Sequence, residues 1–454
     1  MEANTHSRRI LSCLIRSSLA CLVIAVVCGA LAVLFYITKL AEPLRAVGVS
    51  FRDMRPLHTA FASAWIFLAG MTCVYHFLMS EFGEPTRAER TRFRIQMILW
   101  GLAGAGILVT IPMGITTGRE YIGFHPVLSL LITAGWLLFA WTFFKKCARG
   151  FWSRPVYVYM WGIGICYFLY TFAEGHAWLL PWIRQRPVAD LQIQWKSCGT
   201  VVASFNMLVY GSLIYLTGRV SDDDSYAHSP KAFVFFGIGL LNSFTNYAHH
   251  TYHLPQSHII KWFAFVVSML EIILLFSVIN DVRAMIAARK PTDSFGTTKT
   301  FLRLAKGWSF SMLTLSLLIS IPNLNTPIHG THVVMAHAMG SEIGIDTMVL
   351  FACFAHLIVG FFPRKYDVIE SLDSDFVKSI SRGLNRGLIG LIATLLIGGT
   401  TVGVTRMYGW EVPEFMRIFP YALAFFGIVV GWFLVRMARF WWPYLPGVFS
   451  SSDS

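Results

Sequence analysis

The sequence predicts an all-α polytopic membrane protein: a bundle of twelve transmembrane helices forming a single domain over residues 1–454. Three observations carry this. Hydrophobic residues make up 55% of the 454-residue chain and charged residues only 13%, against about 25% charged in a typical soluble domain. Mean hydropathy is +0.58. Apolar stretches of roughly 20 residues, the length that spans a bilayer core, recur with short links and no interrupting soluble domain. Every backbone polar group in lipid must be paired within the chain, so such stretches are expected as helices. A soluble globular fold and a disordered chain are excluded.

The stretches run in order along the chain. The first, near 12–38, lies behind Arg8, Arg9 and Arg16 and lacks a small-residue cleavage site, so it reads as a retained span. The second, near 57–80, opens at His58. The third, near 96–117, is preceded by Arg87, Arg90, Arg92 and Arg94. The fourth, near 125–144, ends on Lys145 and Lys146. The fifth and sixth lie near 156–182 and 198–217. The seventh, near 232–251, closes on His249 and His250. The eighth, near 259–280, carries Glu271 inside an apolar run. The ninth lies near 302–321. The tenth, near 330–360, begins with His329, His332 and His337. The last two lie near 386–405 and 418–437.

The net charge of +13 could suggest nucleic acid, but Lys and Arg collect in alternate links and set topology instead. The basic links, including Arg87 to Arg94, Lys145 to Arg154, and Arg283 to Lys290, are expected in the cytoplasm with both termini. The eight cysteines are scattered and none forms CxxC, so neither a disulfide framework nor a Cys-based zinc site is indicated. His58, His249, His250, His329, His332 and His337 come from three separate stretches to one depth, in the outer third of the bilayer. Polar groups at that depth default to a functional role, and neutral imidazole suits metal or haem. An unpaired Glu271 at mid-membrane points to protons or a metal.

Five motifs in order make the chain resemble the catalytic subunit of bacterial nitric oxide reductase and, more widely, the haem-copper oxidase superfamily. They are RPLHTAFASAW (Arg55 to Trp65), TGREY (Thr117 to Tyr121), NYAHHTYH (Asn246 to His253), the run ending at Glu271, and IHGTHVVMAHAMG (Ile328 to Gly340). The resemblance implies two haem b groups. His58 would hold the low-spin haem and His337 the active-site haem. His249 and His250 would ligate a non-haem iron or copper, and Glu271 would serve the active site. Arg119 would lie near haem propionates, and Glu120 would help hold calcium. It further implies a membrane-anchored cytochrome c subunit or other periplasmic donor, a small gas ligand (NO or O₂), and a bacterial inner-membrane location.

Three positions depart from the family's pattern. Its His-x-His ends here in Met339, an accepted axial ligand that raises haem potential relative to His/His. On the sixth stretch the third metal-binding His is replaced by Gly199, and the catalytic Glu by Ala203. Cys198 stands beside the vacant position. A non-catalytic haem b protein for electron transfer or gas sensing is therefore the alternative expectation.

Overall fold

The computed structural model describes residues 5–245, 251–252, 254–255, 257–288, 296–361 and 375–445. All secondary structure among them is helical. In chain order the principal helices are α1 (Thr5–Leu34), α2 (Thr38–Ala46), α3 (Phe51–Phe82), α4 (Arg87–Thr110), α5 (Pro126–Cys147), α6 (Val156–Gly175), α7 (Pro187–Ser221), α8 (Pro230–Thr245), α9 (His258–Ala288), α10 (Gly296–Ser320), α11 (Pro322–Ile328), α12 (His332–Ser341), α13 (Met348–Phe361), α14 (Asp375–Tyr408) and α15 (Phe419–Trp441). A π-helical turn, Glu342–Thr347, joins α12 to α13 without a break.

Each of the twelve apolar stretches overlaps a helix among the described residues, although residues 246–250 of the seventh lie outside them and the third runs past the end of α4 at Thr110. Among the described residues nine helices are long and apolar enough to cross a membrane, or ten if α10 and α11, bent by 95°, count as one span. The remaining two stretches fall on α8 and α9.

Local chemistry explains where the helices start. Thr86 and Glu89 form a reciprocal capping box at α4: Thr86 N–H donates to Glu89 Oε2 at 2.8 Å, and Glu89 N–H donates to Thr86 Oγ1 at 3.3 Å. The α5 start combines Pro126 with a cap in which Val127 N–H donates to His125 Nδ1 at 3.3 Å. His125 thus has a capping role.

Helices α1 and α3 lie along one another, as do α6 and α7, and α14 and α15. Aromatic rings fill the core. Phe67 on α3 meets Trp136, Phe168 and Phe205 at centroid distances of 5.3, 5.0 and 5.7 Å, and Trp136 stacks on Phe168 at 4.0 Å. Such pairs each add about 0.5–1.5 kcal/mol beyond area burial. Large apolar side chains such as Leu130, Ile397 and Trp432 face outward, as lipid contact requires. Gly399 lets α14 close on the start of α12: a Cβ there would lie 2.3 Å from Val333 N. The 111–125 loop and the start of α12 mark one end of the bundle, the upper end.

Candidate haem and metal sites

His58 sits about two turns into α3, half-buried, against α1. Its Nδ1 lies 2.7 Å from the carbonyl oxygen of Ala25. A carbonyl only accepts, so Nδ1 carries the proton and the Nε2 lone pair is left for a ligand bond. This is the arrangement metal-ligating histidines use to fix ring and tautomer. The close seat depends on Gly29, where a Cβ would come within 2.7 Å of His58 Nδ1.

The start of α12 is shaped by a short turn. Thr331 caps the helix, accepting from Val333 N–H at 3.3 Å. His332 is wedged between Tyr36 and Phe419, with ring centroids at 6.0 and 4.8 Å. His329 meets the Trp195 ring at 6.3 Å. His337 comes a turn later, half-buried, with Nδ1 buried and without a hydrogen-bond partner among the described residues. An orphaned imidazole nitrogen inside a membrane bundle is costly unless a bound group completes it, and a haem iron ligand fits that requirement. Met339 lies two residues on, half-buried against the core.

Two carboxylates that the sequence pattern did not single out come next, on the π-turn. Glu342 is half-buried, and Asp346 is 2% exposed with Oδ1 lacking a partner among the described residues. Thr347 Oγ1 donates to the Glu342 carbonyl at 2.8 Å, and Trp65 Nε1 of α3 donates to Thr347 Oγ1 at 3.2 Å. Their only signal in the sequence is a Glu and an Asp four apart in an otherwise apolar span.

The 111–125 loop forms the lid of the upper end. Thr117 N–H and Thr116 Oγ1 both donate to the Gly123 carbonyl at 2.8 Å, while Ile122 N–H donates to the Glu120 carbonyl at 2.8 Å. That three-residue turn puts Tyr121 at φ 60°, a rare and strained position for a bulky residue. Tyr121 is thereby brought beside Glu342. Burial, with the Glu342 carboxyl beside it, holds the phenol protonated well above the ordinary tyrosine range.

Arg119 is held by Asp190 through two contacts at 3.0 and 2.7 Å, by Gln194 at 3.1 Å, and over the Trp178 ring at 5.3 Å. Glu120 accepts from Arg55 at 2.7 Å and lies within electrostatic reach of His58, Cys198 and Glu342. A cavity of about 320 Å³ opens here, lined by Arg52, Arg55, Thr59, Arg119 and Glu120 among others. Its three guanidiniums suit anionic groups such as haem propionates. Glu120 is engaged by a guanidinium rather than gathered with further ligands, and no group of three His, Cys, Asp or Glu among the described residues could hold a metal.

His249 and His250 lie outside the described residues. Glu271 falls on α9, and its side chain is likewise outside them. Gly199 and Ala203 are buried on α7, and Cys198 is 8% exposed at the depth of Tyr121. At the lower end, His76 Nδ1 meets the Tyr215 hydroxyl at 2.8 Å, and the thiols of Cys73 and Cys353 lie beside each other between α3 and α13. His176 engages Ser129 Oγ at 2.8 Å and the Phe172 carbonyl at 2.6 Å, which leaves it a structural residue.

No curated protein matches the chain. In fold it is similar to a solved heme-copper terminal oxidase dimer, with a TM-score of 0.74 and 14% identity, covering 99% of this chain and 86% of that one. The family model for cytochrome c and quinol oxidase polypeptide I matches residues 9–446. With the fold and nearly the whole sequence in agreement, the chain belongs to the cytochrome c and quinol oxidase polypeptide I family of haem-containing membrane oxidoreductases.

Proposed function

We propose that the chain is the haem-bearing subunit of a reductase of the nitric oxide reductase type. It would join two NO molecules with two electrons and two protons, giving N₂O and water. The observation that carries this reading is His337, whose buried Nδ1 has no partner among the described residues, two residues before Met339 on α12. Residues two apart on a helix point about 200° apart, so one helix can serve two haems on opposite sides. His58, steadied by the Ala25 carbonyl, and Met339 would hold the low-spin haem b, and His337 the active-site haem b. Bound haem supplies electron transfer and an open position for the gas. The Arg52, Arg55 and Arg119 side chains at the cavity would bind its carboxylates.

His249 and His250 would hold a non-haem iron or copper, with Glu271 serving protons or that metal. The bias of Lys and Arg supports cytoplasmic termini, and the family resemblance implies a bacterial plasma-membrane location and a cytochrome c donor docking at the upper, outer end. A specific observation favours a second reading, a non-catalytic haem b protein for electron transfer or gas sensing. Gly199 and Ala203 on α7 stand where the family's patterns have metal and proton ligands.

One preparation separates the two. Iron and copper are counted per chain, reduced and CO-bound spectra are taken, and NO consumption is followed. Two haems, one further metal and N₂O production support the reductase. Two haems with no further metal and no turnover would establish the second reading, and absence of haem would remove both.

A further inference from the structure

We infer that Glu342 and Asp346, on the π-helical turn, form a two-proton store for the reaction, filled from the upper face through the Tyr121 hydroxyl. The inference deepens the proposed reductase reading and rests on it. Three observations carry it. Tyr121 is held at φ 60° by a three-residue turn, and its hydroxyl meets Glu342. Asp346 is 2% exposed, and its Oδ1 has no partner among the described residues. The helix is wound as a π-turn only across the six residues that carry both carboxyls, and such turns concentrate at functional sites.

The groups facing this pair are acidic or neutral: Glu120 and Tyr121 from the loop, with Cys198 of α7 beside Tyr121. Residues four apart on a π-turn lie on nearly the same face, so the two carboxyls are placed to pass protons between them. The transfer balances without any change of oxidation state. A proton leaves Tyr121 Oη for a Glu342 carboxylate oxygen, and Oη takes its replacement from the outer aqueous phase by way of the cavity that Glu120 lines. Glu342 then passes a proton to Asp346 and is reloaded. Two loaded carboxyls hold the two protons that one N₂O requires.

The test uses the full chain loaded with haem. Infrared difference spectra on haem reduction are recorded for wild type, Glu342→Gln, Glu342→Asp, Asp346→Asn and Tyr121→Phe, with optical haem spectra checking the fold. Wild type should show carboxyl C=O bands that change on reduction, with one band missing in Glu342→Gln and another in Asp346→Asn. The conservative Glu342→Asp should retain its band. Turnover should fall roughly 10²-fold in Glu342→Gln, in the range of one lost proton-transfer group. Tyr121→Phe should slow band recovery while leaving both bands. Bands unchanged in both Glu342→Gln and Asp346→Asn would overturn the store, as would wild-type turnover in Glu342→Gln. If wild type consumes no NO yet the bands respond as described, the reductase reading fails and the proton store stands.

Discussion

Gly29→Ala puts the His58 seat under direct strain. The added methyl would lie 2.7 Å from Nδ1 and 2.9 Å from Cε1 of His58, where ordinary contact begins at 3.4 Å. The imidazole must therefore retreat by about 1 Å to reach normal carbon contact distances. Its 2.7 Å bond to the Ala25 carbonyl would then exceed the useful hydrogen-bond range. Losing that bond costs about 1 kcal/mol, and overpacking adds about 1–3 kcal/mol. Replacing a mid-helix glycine by alanine returns about 1 kcal/mol, so the net loss is about 1–3 kcal/mol. Misorienting a ligand by removing its outer partner weakens metal affinity about 10–100-fold. The assay is haem content and the reduced-minus-oxidised spectrum of the purified protein. The low-spin signal should fall while CO binding at the second haem persists. Gly427→Ala on α15 is the control, since a Cβ there meets only Val33 at 3.9 Å. Full low-spin signal and unchanged thermal stability in Gly29→Ala would refute the placement of His58 as the ligand steadied by α1.

Met339→Leu should abolish or shift the low-spin spectrum and leave CO binding intact; an unchanged low-spin spectrum excludes Met339 as a ligand. His337→Ala should lose the CO-reactive haem, and retention of CO binding would move that role elsewhere. Gly399→Ala brings a Cβ to 2.3 Å from the Val333 backbone nitrogen. It should lower stability by roughly 3 kcal/mol or more, read as a fall in Tm, whereas Gly101→Ala, with nothing within 4 Å, should not. Asp190→Ala removes the double contact to Arg119, in a pair whose side chains are only 16% and 17% exposed. It should cost roughly 1–3 kcal/mol, between surface and buried pairs, and unchanged loop proteolysis would count against a structural role.

The helices were legible because composition and stretch length act locally. Each apolar run overlaps a helix among the described residues, including α12 to α13, which opens at His332 close to the expected start near 330. The His58 site was legible as a residue type at a depth, but its support was not. The Ala25 carbonyl and Gly29 lie on another helix, about thirty residues earlier. Arg119 was expected near haem propionates. It does line the basic cavity, yet its firmest partners are Asp190 and Gln194, a pairing only the fold brings about. Glu342 and Asp346 escaped notice because Glu271 stood out as the buried charge in a longer apolar run. Their shared turn also departs from the 3.6-residue period used to read helices. Cys73 and Cys353 looked scattered because sequence spacing says nothing about two helices that lie side by side.

The π-turn also acts as a phase adjuster within one continuous helix. Each residue advances an α-helix by about 100°, and a π-turn absorbs an extra residue without unwinding the helix beyond it. The upper segment can therefore aim His337 and Met339 one way. The lower segment independently presents Thr347 to Trp65 at 3.2 Å and Cys353 to Cys73. Deleting one residue, such as Ile343, would leave a regular apolar helix of nearly the same length and hydropathy. It would also keep the two halves in their present phase, so the contacts with α3 should survive while the turn that carries Glu342 and Asp346 is lost.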